Sequence, residues 1–230
     1  MKFGGFTPFT LIDYPGKTAA MAYTIGCNFR CPYCHNPELV DETVEKTFSE
    51  DFVFSFLEKR RGVLDGLVIT GGEPTVHADV LPFMERVKSA GFLVKLDTNG
   101  TNPALLQEVI DRKLVDYVAM DVKAPLKRYA HTVSRPVDTT AISKSIVLLM
   151  HSPASVEYEF RTTVIKSLLS PEALEEIAQE IQGAKKYYLQ KFIPVHILNP
   201  QFARKTTYTD REFEDFKKTA KKYVTHCAIR

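Results

Sequence analysis

Cysteines provide the strongest chemical signal in this sequence, because three of its four cysteines fall between positions 27 and 34. Cys27, Cys31 and Cys34 have the spacing C-x3-C-x2-C, in a segment that follows a predicted strand. A loop can turn such thiolates to one side, where they bind a metal ion or an iron–sulfur cluster. Core thiols rarely cluster in this way, so the spacing predicts a metal centre in loop 26–37.

Two kinds of metal centre are compatible with three clustered cysteines. A zinc site would need a fourth ligand, for which His35 is the nearest candidate. Closed zinc sites commonly take their ligands from two cysteine pairs, but the remaining cysteine, Cys227, stands alone and is predicted to be a buried thiol. An iron–sulfur cluster with three thiolate ligands would leave one iron open for a substrate or cofactor. The spacing favours the cluster without excluding zinc.

Charged residues and glycines follow the carboxyl ends of several predicted strands. Glycine lets the backbone approach a ligand closely, and a carboxylate accepts hydrogen bonds from an ammonium group. We expect Lys123, or a bound monovalent cation, to stand between these carboxylates and an anionic group of a ligand. Arg161 could contact a carboxylate or a sugar, although an ion pair with Glu157 or Glu159 explains it equally well. The candidates for ligand binding are Gly71, Gly72, Glu73, Asp97, Asn99, Asp121, Lys123 and Arg161. The residues alone also allow a tight strand-to-helix turn at 71–73 and an ordinary surface ion pair with N-capping residues at 97–99 and 121–123.

Short apolar strands alternate with helical segments along the chain. This alternation predicts a parallel sheet with right-handed crossovers, either open or curled into a barrel, with the candidate residues at one edge. Capping boxes predict helix starts at Thr47 and Thr209, the second opening a C-terminal helix over about 209–223. Capping residues before a proline predict two more starts, at Asn102 and Ser170. The six predicted strands cover 19–25, 66–70, 92–96, 116–120, 156–164 and 187–193.

Bulk composition narrows the class of protein. Hydrophobic residues make up 44% and charged residues 25% of the 230 residues, as in a globular protein with a sizeable core. The net charge of +2 gives no support for a nucleic-acid or membrane-surface partner. No apolar run approaches the roughly 20 residues of a membrane helix, and residues 1–6 lack the features of a signal peptide. We therefore expect a single domain over 1–230, in a cytoplasm that keeps its thiols reduced.

The cysteine segment and several flanking motifs resemble a known family. Cys27-x3-Cys31-x-Tyr33-Cys34 is similar to the signature of the radical S-adenosylmethionine (SAM) superfamily. Other motifs resemble those of the glycyl-radical-enzyme activases, more closely the longer group that activates anaerobic ribonucleoside-triphosphate reductase. These motifs are LIDYPGK at 11–17, CHNPEL at 34–39, TGGEPT at 70–75, LDTNG at 96–100 and MDVKAP at 120–125. The similarity runs from about residue 6 to 125 and continues more weakly to 193.

This resemblance implies an α/β fold, an incomplete (β/α)6 TIM-like barrel with parallel strands. It implies one [4Fe–4S] cluster held by the three clustered cysteines, with Tyr33 and His35 beside it, whose open iron chelates SAM. One electron would cleave the sulfonium, and the resulting 5′-deoxyadenosyl radical would remove hydrogen from a glycine of a partner enzyme. By resemblance, segment 71–73 holds the methionine amino group. Some related activases have a histidine near the sixth strand where this chain has Phe192, so the resemblance does not assign the adenosine contacts.

The resemblance also implies partners, namely anaerobic ribonucleoside-triphosphate reductase as protein substrate and a flavodoxin or ferredoxin as electron donor. Six strands leave one side of a barrel open, which suits a substrate glycine on another protein. Three alternatives stay open: another glycyl radical enzyme such as pyruvate formate-lyase, radical chemistry on a small molecule, and a zinc-stabilised binding module. The predicted C-terminal helix carries four lysines, which form either a solvated face or a docking site for an acidic region of the reductase. These lysines are Lys217, Lys218, Lys221 and Lys222.

Overall fold

One mixed sheet of nine strands organises the chain, as seen in a computed structural model that describes all 230 residues. In chain order the strands are β1 (Lys2–Thr10), β2 (Ala19–Thr24), β3 (Phe48–Ser49), β4 (Gly66–Gly71), β5 (Leu93–Thr98), β6 (Tyr117–Asp121), β7 (Glu157–Val164), β8 (Lys186–Lys191) and β9 (His226–Ile229). Their order across the sheet is β3-β1-β2-β4-β5-β6-β7-β8-β9. All neighbours from β2 to β9 pair in parallel, whereas β1 runs antiparallel to both β2 and β3. The sheet does not close, since β3 and β9 are its two edges.

Helices cover one face of this sheet. They are α1 (Pro37–Val40), α2 (Glu50–Glu58), α3 (Val80–Ser89), α4 (Pro103–Asp111), α5 (Tyr129–Val133), α6 (Thr139–Met150), α7 (Pro171–Glu180) and α8 (Asp210–Ala220). Successive strand residues point to opposite faces, so Ala20 and Ala22 pack in a core of 53 buried residues that includes the apolar faces of the helices. Met21, between them, belongs to a small cluster with Tyr14 and Tyr117 on the other face. That second face therefore remains available for a polar cavity.

The predicted incomplete (β/α)6 barrel is confirmed, with three strands added. All six predicted strands are present and parallel, and β9 adds a seventh parallel strand beyond β8. The strands β1 and β3 were not predicted. Gly4, Gly5 and Pro8 interrupt any apolar alternation in β1, and its pairing with β2 contains two register shifts. β3 has only two residues and β9 only four, too few for a periodic pattern.

One of the predicted helix starts is wrong and three are confirmed. The cap of α2 is Ser49, whose hydroxyl accepts a hydrogen bond from the Phe52 amide, because Thr47 precedes a short strand instead of a helix. Thr209 and Glu212 form the predicted capping box, with a 2.7 Å hydrogen bond from the Thr209 amide to the Glu212 carboxylate. The side chains of Asn102 and Ser170 cap α4 and α7 as predicted. None of the helices is both long and apolar enough to span a bilayer.

Candidate active site

A polar cavity of about 420 Å³ lies at the carboxyl ends of the parallel strands. Every residue that the sequence analysis proposed for metal or ligand binding lines this cavity, except Glu73. The predicted residues brought together are Cys27, Cys31, Tyr33, Cys34, His35, Gly71, Gly72, Asp97, Asn99, Asp121, Lys123 and Arg161. Their convergence follows from the parallel sheet, which gathers the ends of successive strands at one edge.

The loop that carries the three cysteines is held by backbone hydrogen bonds from distant parts of the chain. Its first residue, Gly26, donates to the Leu39 carbonyl at 2.7 Å. From the far side, the amides of Leu198 and Asn199 donate to the carbonyls of Cys34 and Pro32, each at 2.9 Å. The loop is therefore fixed before any ligand binds, by a segment that follows β8.

Burial keeps the three thiols protonated in the absence of metal. It raises the pKa of Cys27 to about 12 and that of Cys31 to about 11, and it also raises the pKa of Cys34. Such thiols are poor nucleophiles at neutral pH, because the thiolate is the reactive form. Metal binding would have to displace their protons, so this environment suits ligands better than a catalytic cysteine.

The donor set fits an iron–sulfur cluster. No group of three His, Cys, Asp or Glu side chains is arranged around a single metal ion, whereas the three thiols share one cavity. Each thiolate of a cubane cluster binds its own iron, so cluster ligands stand farther apart than the ligands of one ion. The cavity also contains Lys123, a cation beside Cys31 that lowers the cost of thiolate charge.

Gly72 lets the end of β4 pack directly against the cysteine loop. A Cβ atom at this position would lie 1.9 Å from the carbonyl oxygen of Gly26, which is far inside van der Waals contact. Two backbone hydrogen bonds lie at this junction, from Gly72 to Thr24 and from Glu73 to Gly26, both 2.9 Å long. The glycine is thus required by the approach of two backbones beside the cavity.

Glu73 points away from the cavity and has a positioning role in the structure. Its carboxylate is 1% exposed and accepts hydrogen bonds from the Thr98 hydroxyl at 2.7 Å and the Asn99 amide at 2.6 Å. Thr75 donates to it as well, through both its amide and its hydroxyl. Through these hydrogen bonds, the Glu73 side chain ties the end of β4 to the end of β5. A contact between this carboxylate and a ligand ammonium group stays a prediction.

Charged residues on β5, β6 and β7 form a continuous ion-pair network along the cavity wall. Arg161 lies between two carboxylates, with its Nε 2.9 Å from Asp121 and its Nη1 3.3 Å from Asp97. Lys123 Nζ lies 3.1 Å from the second carboxylate oxygen of Asp121, and Lys95 pairs with Asp97. This arrangement differs from the alternative in which Arg161 pairs with Glu157 or Glu159 on its own strand. Lys123 thus stands beside Asp121.

Both carboxylates of this network are ionised at neutral pH. Burial alone would raise the pKa of Asp121, but Arg161 and Lys123 lower it to about 2. Arg161 and Lys95 likewise outweigh burial and lower the pKa of Asp97. Burial opposes the charge of Lys123, yet Asp121 and Cys31 raise its pKa well above the ordinary value. The cavity wall therefore carries fixed charges of both signs.

Several residues in or beside the cavity were not among the predicted site residues. Asn28, in the cysteine loop beside the cavity, accepts a 2.8 Å hydrogen bond from the Asn99 side chain and so links that loop to the end of β5. Asp13 lines the cavity from the loop after β1, and its position in the LIDYPGK motif was the available signal. Gln190 lines the cavity from β8, whereas Phe192 is buried and stacks against His35. His35 itself lies 2.8 Å from the carbonyl oxygen of Ile193.

The sequence of this chain is similar to a known family and to individual proteins. The chain matches the family model of the radical SAM superfamily over residues 21–152, more than half of its length. A Methanocaldococcus jannaschii protein with the provisional name glycyl-radical enzyme activating enzyme is 35% identical, over 98% of this chain and 94% of its own length.

Solved structures give the same fold. A radical SAM methyltransferase from Sphaerobacter thermophilus aligns with a TM-score of 0.71 at 16% identity, covering 96% of this chain and 68% of that one. A domain of pyruvate-formate lyase-activating enzyme from Bacteroides vulgatus aligns with a TM-score of 0.55 at 15% identity, covering 72% of this chain and 98% of that one. At these identities, the two structures bear on the fold alone.

Proposed function

This chain belongs to the radical SAM superfamily of enzymes, and from that membership we propose that it installs a glycyl radical on anaerobic ribonucleoside-triphosphate reductase. The observation that carries the proposal is the single cavity in which three clustered thiols face a charged strand edge. A relative with matching length that is named for glycyl-radical enzyme activation supports the reaction class. Because the superfamily consists of enzymes, the zinc-stabilised binding module is no longer a competing interpretation.

Cys27, Cys31 and Cys34 would hold one [4Fe–4S] cluster, with Tyr33 and His35 at its side. When bound, such a cluster supplies the electron for reductive cleavage of SAM at an open iron. The protein contributes a rigid loop whose backbone is anchored on both sides, so the three thiols keep their positions as they lose their protons.

The charged wall of the cavity would hold SAM. Lys123 and Arg161 both line the cavity, so their positive charge can attract the methionine carboxylate. Asp97 and Asp121 offer acceptors for ribose hydroxyls, although both also pair with basic side chains. The exposed backbone at Gly71 and Gly72 would receive the methionine amino group, while Glu73 fixes that backbone from behind. In this proposal Lys123 makes a bound monovalent cation unnecessary.

A protein substrate would approach through the open side of the sheet, and residues 1–230 would act as one unit in this reaction. Exposed aliphatic side chains flank two cavity-lining positions. Leu11 and Ile12, 64% and 84% exposed, precede Asp13, while Ile193, 63% exposed, lies next to His35. Exposed aliphatic residues around a polar cavity are typical of a surface that is covered by another protein.

The lysine-rich face of α8 gives less support to docking. Lys217 pairs with Glu214 at 3.0 Å, and Lys218 pairs with Asp215 at 3.1 Å. Because these lysines have acidic neighbours on the same helix, a solvated face explains them without an acidic partner. A flavodoxin or ferredoxin would serve as the electron donor.

Anaerobic reconstitution tests the proposed function. The chain is loaded with iron and sulfide and incubated with SAM, reduced flavodoxin and the reductase, and radicals are recorded by electron paramagnetic resonance. We expect a glycyl radical signal on the reductase together with release of 5′-deoxyadenosine. Cys31→Ala should abolish both, whereas Cys227→Ala, which alters a buried thiol outside the cavity, should retain both.

Two outcomes would contradict the proposal at different levels. A glycyl radical on pyruvate formate-lyase, with none on the reductase, would refute the partner and retain the chemistry. Failure of the cluster-loaded chain to cleave SAM would refute the reaction itself.

A further inference from the structure

Glu159 is a fully buried carboxylate directly beside the ion-pair network of the cavity. It is 0% exposed and lies two residues before Arg161 on β7, so both side chains point to the same face of the sheet. The Tyr117 hydroxyl donates to one of its oxygens at 2.6 Å. Arg230, which follows β9, forms a two-pronged ion pair with it, at 2.7 Å and 3.0 Å. The guanidinium carbon of Arg230 lies 3.4 Å from the ring centre of Tyr188.

A buried carboxylate needs a counter-charge, because an unpaired charge in the protein interior is strongly destabilising. Arg230 supplies that charge to Glu159 from two strands away, since β8 lies between β7 and β9. Arg161 is the other guanidinium within electrostatic reach. Burial opposes its charge, while Asp121, Asp97 and Glu159 together raise its pKa. If Arg230 were absent, Glu159 would therefore compete with Asp97 and Asp121 for Arg161.

We propose that Arg230 is a positioning residue for the SAM pocket. By forming the ion pair with Glu159, Arg230 leaves Arg161 to bridge Asp97 and Asp121. This inference rests on the proposed function only in naming SAM as the ligand of the cavity. The ion pairs agree with such a role. Three carboxylates (Asp97, Asp121 and Glu159) pair with four basic side chains (Lys95, Lys123, Arg161 and Arg230), so the loss of Arg230 would leave Glu159 without its own partner.

The test compares Arg230→Gln with the double variant Arg230→Gln/Glu159→Gln. In the cluster-loaded protein, Arg230→Gln should weaken SAM binding about tenfold by calorimetry, as expected for the loss of one member of a coupled ion-pair network. The double variant removes the unpaired carboxylate and should return the affinity to within about threefold of the wild type. Arg230→Lys, which keeps the charge, should lose less affinity than Arg230→Gln.

Lys186→Gln is the matched control. Lys186 also pairs with a β7 carboxylate, Glu157, at 2.6 Å. The Glu157 side chain is 64% exposed, so water solvates its charge and no counter-charge is required. We expect its SAM affinity to match that of the wild type, because a solvated carboxylate does not compete for Arg161.

A crystal structure of the cluster-free Arg230→Gln variant provides a readout that needs neither cluster nor SAM. We expect Arg161 to have turned from Asp121 toward Glu159. Unchanged Arg161 contacts, or a SAM affinity equal to that of the wild type, would overturn the inference. Neither result would affect the proposed function, which instead fails if the wild-type protein binds SAM but produces no glycyl radical.

Discussion

Substitution of Gly72 by alanine should damage the metal centre without altering any ligand. The new Cβ atom would lie 1.9 Å from the Gly26 carbonyl oxygen, whereas real Cβ atoms do not approach closer than 3.0 Å. The end of β4 and the cysteine loop would have to separate by about 1 Å. Because Gly26 directly precedes Cys27, that movement displaces the first thiol of the site.

The stability cost follows from the hydrogen bonds at this junction. Separation by about 1 Å would stretch the 2.9 Å bonds from Gly72 to Thr24 and from Glu73 to Gly26 beyond hydrogen-bond range. A buried backbone group left without its partner costs about 1–3 kcal/mol, so two such losses give about 2–6 kcal/mol. A displacement of this size at a site that needs fixed geometry also lowers function more than stability.

Urea unfolding of the cluster-free protein and iron content after anaerobic reconstitution measure the two effects. Gly62→Ala is a suitable control, because Gly62 has a φ of 75° but no heavy atom within 4 Å of the added Cβ. We expect Gly62→Ala to lower the free energy of unfolding by only about 1–2 kcal/mol, which is the cost of an alanine in the left-handed region. Its iron content should equal that of the wild type. Wild-type stability and full iron content in Gly72→Ala would refute the argument from close backbone approach.

Three further substitutions have definite expected outcomes. Glu73→Gln should lower the free energy of unfolding by about 2–4 kcal/mol in urea, because an amide cannot accept hydrogen bonds on both sides as this carboxylate does; stability equal to the wild type would contradict that role. Asp121 has its pKa lowered to about 2, so its ion pairs stabilise the fold above the ordinary aspartate pKa and are lost as the pH falls toward 2. Urea unfolding of Asp121→Asn between pH 6 and about pH 3 should therefore show a flatter pH dependence than the wild type, and parallel curves would refute it. Arg161→Lys should weaken SAM binding measured by calorimetry, because a lysine cannot bridge Asp97 and Asp121 with a planar fork; unchanged affinity would exclude that bridging role.

The sequence predicted the parts of this site that depend on local patterns. The cysteine spacing identified the metal loop, and the apolar runs before Gly71, Asp97 and Asp121 predicted strands whose ends meet. Since adjacent parallel strands end at the same edge, the convergence of these residues followed from their strand positions alone. The pattern of strands β1 and β9 was hidden by glycines, proline and short length.

Partner choice among the charged residues was not predictable from the sequence. Arg161 pairs with Asp97, 64 positions away, and Arg230 pairs with Glu159, 71 positions away. Nearer carboxylates on β7 itself offered equally good candidates, and only the register of β5, β6 and β7 decides between them. The motif likewise does not reveal that the Glu73 carboxylate turns inward to Thr98 and Asn99.

The backbone hydrogen bonds from Leu198 and Asn199 to the cysteine loop have a consequence for the order of biosynthesis. The ribosome makes the three cysteines early, but the two amides that hold the carbonyls of Pro32 and Cys34 come only after β8. A nascent chain that ends before Leu198 lacks these two hydrogen bonds, so its cysteine loop is held less firmly than in the full chain. We therefore expect cluster assembly factors to act after the segment that follows β8 has been synthesised.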